Sequence, residues 1–351
     1  MSWLGLRYSI EDLRKRNNYP HLFRILKVHS ILKGCTFFVQ QWQRFLVSLP
    51  FIFLLVRIYV DYASLTLEET MVREVNVKLI EESIKEMCIE SNHYLSSDME
   101  EALARAIDIE TSENGKIILN QLQDNLKIAA IDEIPICQDT GMVVVFIELG
   151  QDVHLIGGAL EDAINEGIRQ GYEEGYLRKS VVSDPLVREN TKDNTPGVIH
   201  TKIVSGDKVK ITVAPKGFGS ENISRIFMLS PSDGIDGIVD RVLTAVKEGG
   251  ANACPPLIVG VGIGGTFEKC ALISKEALLR KVGEPSAIPH IAKLEKELLD
   301  KINQLDIGPS GLGGNITALA VNIETYPTHI AGLPVAVNIC CHVNRHMSFV
   351  I

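Results

Sequence analysis

Apolar positions recur along this chain with two different periods, and the period changes from segment to segment. After residue 71 it is helical. Leu103 and Ile107 share one face of a segment opened by Ser97-Asp98-Met99-Glu100, which has the form of a capping box. In the next segment Leu119, Leu122, Leu126 and Ala130 follow at i, i+3, i+7 and i+11. Two or three packing helices are therefore expected before residue 136. Met142 to Leu149 reads as a strand, and Leu160, Ile164 and Ile168 as one face of a helix. Val198 to Val204 and Lys208 to Val213 flank Ser205-Gly206-Asp207, which predicts a hairpin. Ile235, Val239 and Val246 mark a helix closed by Gly249-Gly250. Leu257 to Val261 is a buried strand, Ile291 to Ile302 an amphipathic helix, and Ile316 to Glu324 and Pro334 to Ile339 two more strands. The expected class is mixed α/β of the α+β kind: an N-terminal helical segment, then a mixed sheet with flanking helices. The hairpin argues against a purely parallel, doubly wound sheet.

Charge divides the chain unevenly. Residues 1–70 carry nine Lys/Arg against five Asp/Glu, a net of +4, which leaves −13 of the overall −9 on residues 71–351. So acidic a body argues against nucleic acid as partner, and a site for an acidic ligand must build its own local positive charge. Seven cysteines, an odd number without framework spacing in a chain too large to need staples, read as a reducing, cytoplasmic compartment. Cys35, Cys88 and Cys270 lie outside any polar or Pro/Gly-rich motif and read as structural thiols.

Three other cysteines do lie in such motifs. Cys137 stands in Ile136-Cys137-Gln138-Asp139-Thr140-Gly141, which sets a thiol, an amide and a carboxylate side by side before an apolar run. Cys254 stands in Asn-Ala-Cys-Pro-Pro and Cys341 in Asn-Ile-Cys-Cys-His, at separations of 117 and 87 residues, with no CxxC anywhere. Three thiolates gathered by the fold suit a cubane iron–sulfur cluster whose fourth iron is left open. Electron-transfer clusters usually take four cysteines at compact spacings, so an open iron points to Lewis-acid chemistry on a substrate oxygen. The alternative is that all three behave as small buried hydrophobes.

The motifs CQDTG, KGFGSEN (Lys216 to Asn222), NACPP, GLGGNITALA (Gly311 to Ala320), YPTHIAGLPVAVN (Tyr326 to Asn338) and CHxxRH (Cys341 to His346) follow one another over most of residues 71–351. In this order they resemble the class I fumarase and tartrate dehydratase family, specifically its separate α subunit. The resemblance implies a [4Fe-4S] hydro-lyase that interconverts fumarate and (S)-malate, with L(+)-tartrate dehydration as the alternative. It implies Cys137, Cys254 and Cys341 as cluster ligands. The family commonly has Gln before the last ligand, so Cys340 is a departure and the reverse assignment of the pair stays open. The chain stops soon after CHxxRH, where fused members continue. A separate β subunit is therefore expected to complete the site, in a dimer of αβ units acting on a small dicarboxylate. A cluster-free structural paralogue is the other function class in view.

The resemblance also implies roles for neighbouring residues. Asp139 and His329 match catalytic acid/base positions, and Arg178 a substrate-carboxylate arginine, for which a planar fork is the chemical fit. Arg188 is the nearby competitor. Gln138 is placed to donate to a substrate carboxylate, and Gly217 and Gly219 to bring backbone N–H groups toward an anion. The competing reading of Gln138 and Asp139 is that both bond their own loop's backbone. Lys216 reads as a solvated charge, and His342 and His346 as groups that orient the site. Gly260-Val261-Gly262-Ile263-Gly264-Gly265 satisfies GxGxxG, but no acidic strand end follows it in a βαβ unit. These glycines read as tight packing under the cluster.

Residues 1–70 are basic and aromatic and contain Phe45 to Val56, an apolar run of twelve interrupted only by Ser48 and Pro50. About 20 residues are needed to span a bilayer, so a weak membrane association is the most this run supports. As an export signal it starts late and lacks a small-residue cleavage site. Met71 opens a segment similar to the start of the family's α subunits, and Leu67-Glu68-Glu69-Thr70 can be encoded by a purine run of ribosome-binding type. The expected division is an atypical extension over 1–70, read as translated upstream sequence, a helical region over 71–135 and an α/β catalytic region over 136–351.

Overall fold

A computed structural model describes residues 72–351. The readings made for residues 1–70, Cys35 included, fall outside them. A short strand β1 (Arg73–Asn76) leads into α1 (Val77–His93), where the Asn76 side chain caps the helix by accepting from the Lys78 N–H at 2.9 Å. α2 (Ser97–Ile109) and α3 (Glu113–Asp132) follow, the three helices expected at most. The expected capping box is not made. Ser96 stands at the cap without a side-chain bond, and the Asp98 carboxylate accepts from the Val282 N–H at 2.7 Å, so a long-range partner has taken the local one's place.

The sheet elements begin with β2 (Met142–Gly150) and β3 (Val153–Ile156), which pairs with β1. Then come α4 (Leu160–Glu174), β4 (Val198–Val204), β5 (Val209–Lys216), the single turn α5 (Phe218–Glu221) and β6 (Arg225–Leu229). α6 (Gly234–Gly249), β7 (Leu257–Gly264), α7 (Phe267–Ala277), α8 (Pro289–Asn303), β8 (Ala318–Tyr326), β9 (Leu333–Cys340) and β10 (Met347–Val350) complete the order. α7 and the strands β1, β3, β6 and β10 carry too short or too mixed a pattern to have been read from periodicity.

The strands form two four-stranded mixed sheets, ordered β10-β5-β2-β4 and β6-β9-β7-β8. The hairpin expected at 205–207 is absent. Residues 205–208 carry the chain over the end of β2 instead, so that β4 and β5 flank it: Val144 pairs with both Val198, in parallel, and Ala214, antiparallel. Gly150 makes the crossing possible, since a Cβ there would lie 2.3 Å from the Gly206 carbonyl oxygen. The turn residues marked the reversal correctly. They could not say that a third strand lies between its arms.

The second sheet repeats this plan. β7 has β8 parallel on one side and β9 antiparallel on the other, as β2 has β4 and β5. The outer strands are exchanged: the chain leaving β5 crosses to place β6 against β9, and the chain leaving β9 crosses back to place β10 against β5. Each half therefore holds the other's last strand.

Helices cover the sheets. α1 and α4 bury Ile80, Ile84, Ile164 and Ile168 against Val143, Val145 and Ile147 of β2. α6 and α8 bury Val242, Val246, Leu294 and Leu298 against Val259 and Val261 of β7. α7 lies on the opposite face of β7, where Gly260 and Gly262 lie directly beneath it. Added Cβ atoms would sit 2.2 Å from the Ser274 carbonyl oxygen and 2.1 Å from that of Cys270. The GxGxxG match is thus explained by close helix–strand packing, and α7, not a cluster, is what the glycines admit. No helix among the described residues is long and apolar enough to cross a membrane.

Gly260→Ala is expected to push α7 off β7 and lower the unfolding free energy of the metal-free chain by about 3 kcal/mol. Urea unfolding checks this; an unchanged midpoint would contradict the packing account.

Candidate active site

In both sheets the central strand and its parallel neighbour start at the end where the antiparallel strand finishes. Met142 pairs with Lys216, and Ile258 with Cys340. The CQDTG and KGFGSEN segments therefore gather at one end of the first sheet, and NACPP, GLGGN and CCH at one end of the second. The two ends are tied together. The Lys216 Nζ donates to the Ile339 carbonyl at 2.9 Å, and Arg345 donates to the carbonyls of Asp139 and of Pro215, the latter at 3.4 Å.

The three motif cysteines share this region. The His342 N–H and Nδ1 both meet the Cys254 carbonyl, at 3.4 and 3.0 Å, which sets Cys254 beside Cys341. Cys137 and Cys341 rest on one apolar cluster with Ile136, Ile258 and Val343. Burial, and then the proximity of Cys137, raise the Cys254 thiol above its usual range. Cys88 and Cys270 are fully buried, as expected of structural thiols, whereas Cys254 is exposed and Cys137 and Cys341 are half-buried. Cys254 also sits at φ 54°, a left-handed conformation that costs a non-glycine residue on the order of 1–3 kcal/mol. Cys254, exposed and on strained backbone, suits ligation better than packing, and Cys137 and Cys341 stand half-buried at the edge of the apolar cluster. No three His, Cys, Asp or Glu among the described residues converge on one point as a single ion requires. A cube-shaped cluster takes one thiolate per corner and needs no such convergence.

Strand alternation separates the adjacent cysteines. Cys340, 4% exposed, ends β9 and turns into the interior beside Lys216, Arg345 and Asn344, while Cys341 is half-buried. The adjacent Cys341 thiol and the nearby Lys216 and Arg345 charges draw Cys340 below the usual thiol range against the effect of burial.

Around the cysteines, Gln138 is exposed and its Oε1 accepts from the Cys137 thiol at 3.3 Å. The Asp139 carboxylate accepts from the Gly141 N–H at 3.1 Å and the Phe218 N–H at 2.9 Å. The anion that the KGFGSEN turn meets is therefore Asp139 itself. Gly217 precedes that turn, 3.2 Å from Asp139 Oδ2 if given a Cβ, and Gly219 faces open space. Arg178 is exposed, and its carbonyl accepts from Thr140 Oγ1 at 3.1 Å, which fixes it beside the CQDTG loop. Arg188 lies on the exposed loop beyond, at φ 63°.

His329 is placed elsewhere. It sits in the loop between β8 and β9, at the far end of β9 from Cys341, about 25 Å away along eight residues of strand. It is exposed, and its Nδ1 accepts from the Ala331 N–H at 3.2 Å. His342 bonds Cys254, and burial lowers the pKa of both His342 and His346.

Several residues that build the site carried no readable signal. Lys216 is 6% exposed, not solvated as expected, and donates to Ser220 Oγ at 2.8 Å while pairing with Glu221 at 3.2 Å. Tyr172 donates to the Thr140 and Gly141 carbonyls, and buried Asn194 bridges the Gly141 carbonyl to the Ser180 N–H. Glu110, buried at the end of α2, accepts from the N–H groups of Thr111, Ser112, Asn315 and Ile316. It thereby staples the GLGGN loop beside NACPP. Arg345 was visible only as a letter of CHxxRH.

Residues 81–350 match the sequence profile of the family described as fumarate hydratase (Fumerase). A relative from Methanocaldococcus jannaschii, provisionally named L(+)-tartrate dehydratase subunit alpha, is 44% identical over 273 residues, 76% of this chain and 95% of the relative. The L(+)-tartrate dehydratase alpha subunits of Escherichia coli K12 and Shigella sonnei are each 34% identical over 254 residues, 72% of this chain and 84% of theirs.

Glu110→Gln sets amide hydrogens against N–H donors in a buried nest and is expected to cost about 3 kcal/mol. Thermal melting checks the loss and hydrogen exchange over residues 308–316 checks its location; unchanged exchange there would refute the staple.

Proposed function

We propose, since this chain belongs to the fumarate hydratase family, that it is the α subunit of a two-chain hydro-lyase acting on a four-carbon dicarboxylate. The reaction adds water to a carbon–carbon double bond beside a carboxylate, or removes it. Fumarate and (S)-malate are the primary pair. L(+)-tartrate is the second reading, favoured by the names of the relatives. The observation that carries the proposal is the set of three incompletely buried thiols on segments that only the fold brings together.

A [4Fe-4S] cluster held by Cys137, Cys254 and Cys341 would leave one iron without a protein ligand and so supply a Lewis acid for a substrate oxygen. The chain's own groups do the rest. Arg178, its backbone fixed by Thr140, offers a bidentate fork to a substrate carboxylate. Gln138, confined beside Cys137, offers an amide donor to the same ligand. Asp139 spends one acceptor position of each oxygen on backbone N–H groups, and a carboxylate has about four such positions, so it keeps room for a substrate hydroxyl proton. His329 is too far from Cys341 to serve this site within one chain. Its proposed acid/base role requires an interface with a second copy, which gives a dimer of αβ units a chemical purpose. The β subunit completes the carboxylate-binding pocket, and the unpaired thiols favour a cytoplasmic setting.

The test is anaerobic reconstitution with iron and sulfide, followed by assays of fumarate and L(+)-tartrate in the presence of the β chain. Uptake of both elements and turnover of one dicarboxylate is the expected result. A chain that binds neither element, or a loaded pair that turns over neither substrate, refutes the proposal. Cys341→Ser is expected to abolish cluster retention and Cys340→Ser to preserve it, read as iron and sulfide per chain. The reverse result would exchange their roles.

A further inference from the structure

Arg345 presents a problem that the fold alone does not explain. It is 5% exposed, and two of its nitrogens donate to backbone carbonyls, those of Asp139 and Pro215. The third, Nη1, is buried with no partner among the described residues. Among the described residues no carboxylate pairs with it. The cavity that its side chain lines also holds Lys216 and Lys275, and there one carboxylate, Glu221, serves both lysines at 3.2 and 2.6 Å. A buried cation held by carbonyls alone is expensive, and an apolar side chain of similar volume would be the better choice for packing. The position must gain something from the fork and the charge.

What the fork joins supplies the answer. Asp139 lies two residues after Cys137, and Arg345 itself lies four residues after Cys341. The guanidinium therefore ties the first cysteine segment to the third and, through Pro215, ties both to the end of β5. Lys216 makes the complementary tie from β5 to Ile339, two residues before Cys341. We infer that Arg345 is a positioning residue that sets the spacing between the Cys137 and Cys341 segments, and that its unpaired charge offsets the negative charge of the thiolates once they are ligands. This rests on the proposed cluster reading. Arg345 acts through the cysteine segments and is not assigned contact with substrate.

The test loads the full chain anaerobically with iron and sulfide, challenges it with a chelator, and counts both elements per chain with time. R345K keeps the charge and loses the fork; R345A loses both. R280K removes the fork from another buried arginine, paired with Glu295 and Glu324 toward the opposite end of the sheet, and serves as the control for general destabilisation. Melting of the metal-free chains reads folding separately, and R345K is the deciding variant should R345A fail to fold. R345K and R345A are expected to lose iron and sulfide on the order of tenfold faster than wild type, the scale of outer-sphere substitutions at metal sites. R280K is expected to lose them at the wild-type rate, and added guanidinium ion to slow the loss from R345A. Wild-type retention in R345K, equal loss from R280K for the same fall in melting temperature, or no effect of guanidinium overturns the inference. A wild-type chain that takes up neither element overturns the cluster reading instead, so the two failures are distinguishable.

Discussion

The structure depends on the bonds that two buried cations make where its two halves cross. Lys216 ends β5 and reaches the Ile339 carbonyl of β9. Arg345 follows β9 and reaches back to Pro215 of β5 and to Asp139. Each side chain leaves one half and bonds the backbone of the other, at the place where the chain exchanges its outer strands. Pulling either side chain off its carbonyls would leave buried donors unsatisfied, at about 1–3 kcal/mol each, so the crossing has little freedom to shift. Cys137 and Cys341 lie within a few residues of it, and Cys254 joins them through the bonds of its carbonyl to His342.

The repeated sheet plan explains how motifs far apart in sequence reach one place. β2 and β7 occupy equivalent positions, and Cys137 and Cys254 lie shortly before them; Lys216 and Cys340 end the equivalent strands β5 and β9. Strand ends and their loops are where a rigid sheet can hold functional groups without disturbing its core. The same logic puts His329 at the opposite end. A loop joining β8 to antiparallel β9 has no other place to be, and the eleven residues between His329 and Cys341 consist mostly of a strand that holds them apart.

Local conformation finishes the arrangement. Cys254 accepts a left-handed backbone and stays exposed. Cys340 and Cys341, adjacent in sequence, are sent to different surroundings by the pleat of one strand. Glu110 holds the GLGGN loop by filling its nest of N–H groups with a carboxylate.

Much of this was legible in the residues. Hydrophobic periodicity marked α2, α3, α4, α6 and α8 and the central strands, because burying one face of a helix or strand leaves a repeating trace. The motif series marked the cysteine segments, because chemistry at a site constrains residue type one position at a time. The partner of each strand was not legible. A turn such as Ser205-Gly206-Asp207 encodes a reversal of direction, whereas the presence of β2 between β4 and β5 follows from long-range pairing. Nor were Lys216, Arg345 and Glu110 legible as buried anchors. A charged side chain has the same local signature in solvent as in the interior, and only the tertiary structure decides which backbone groups are there to receive it.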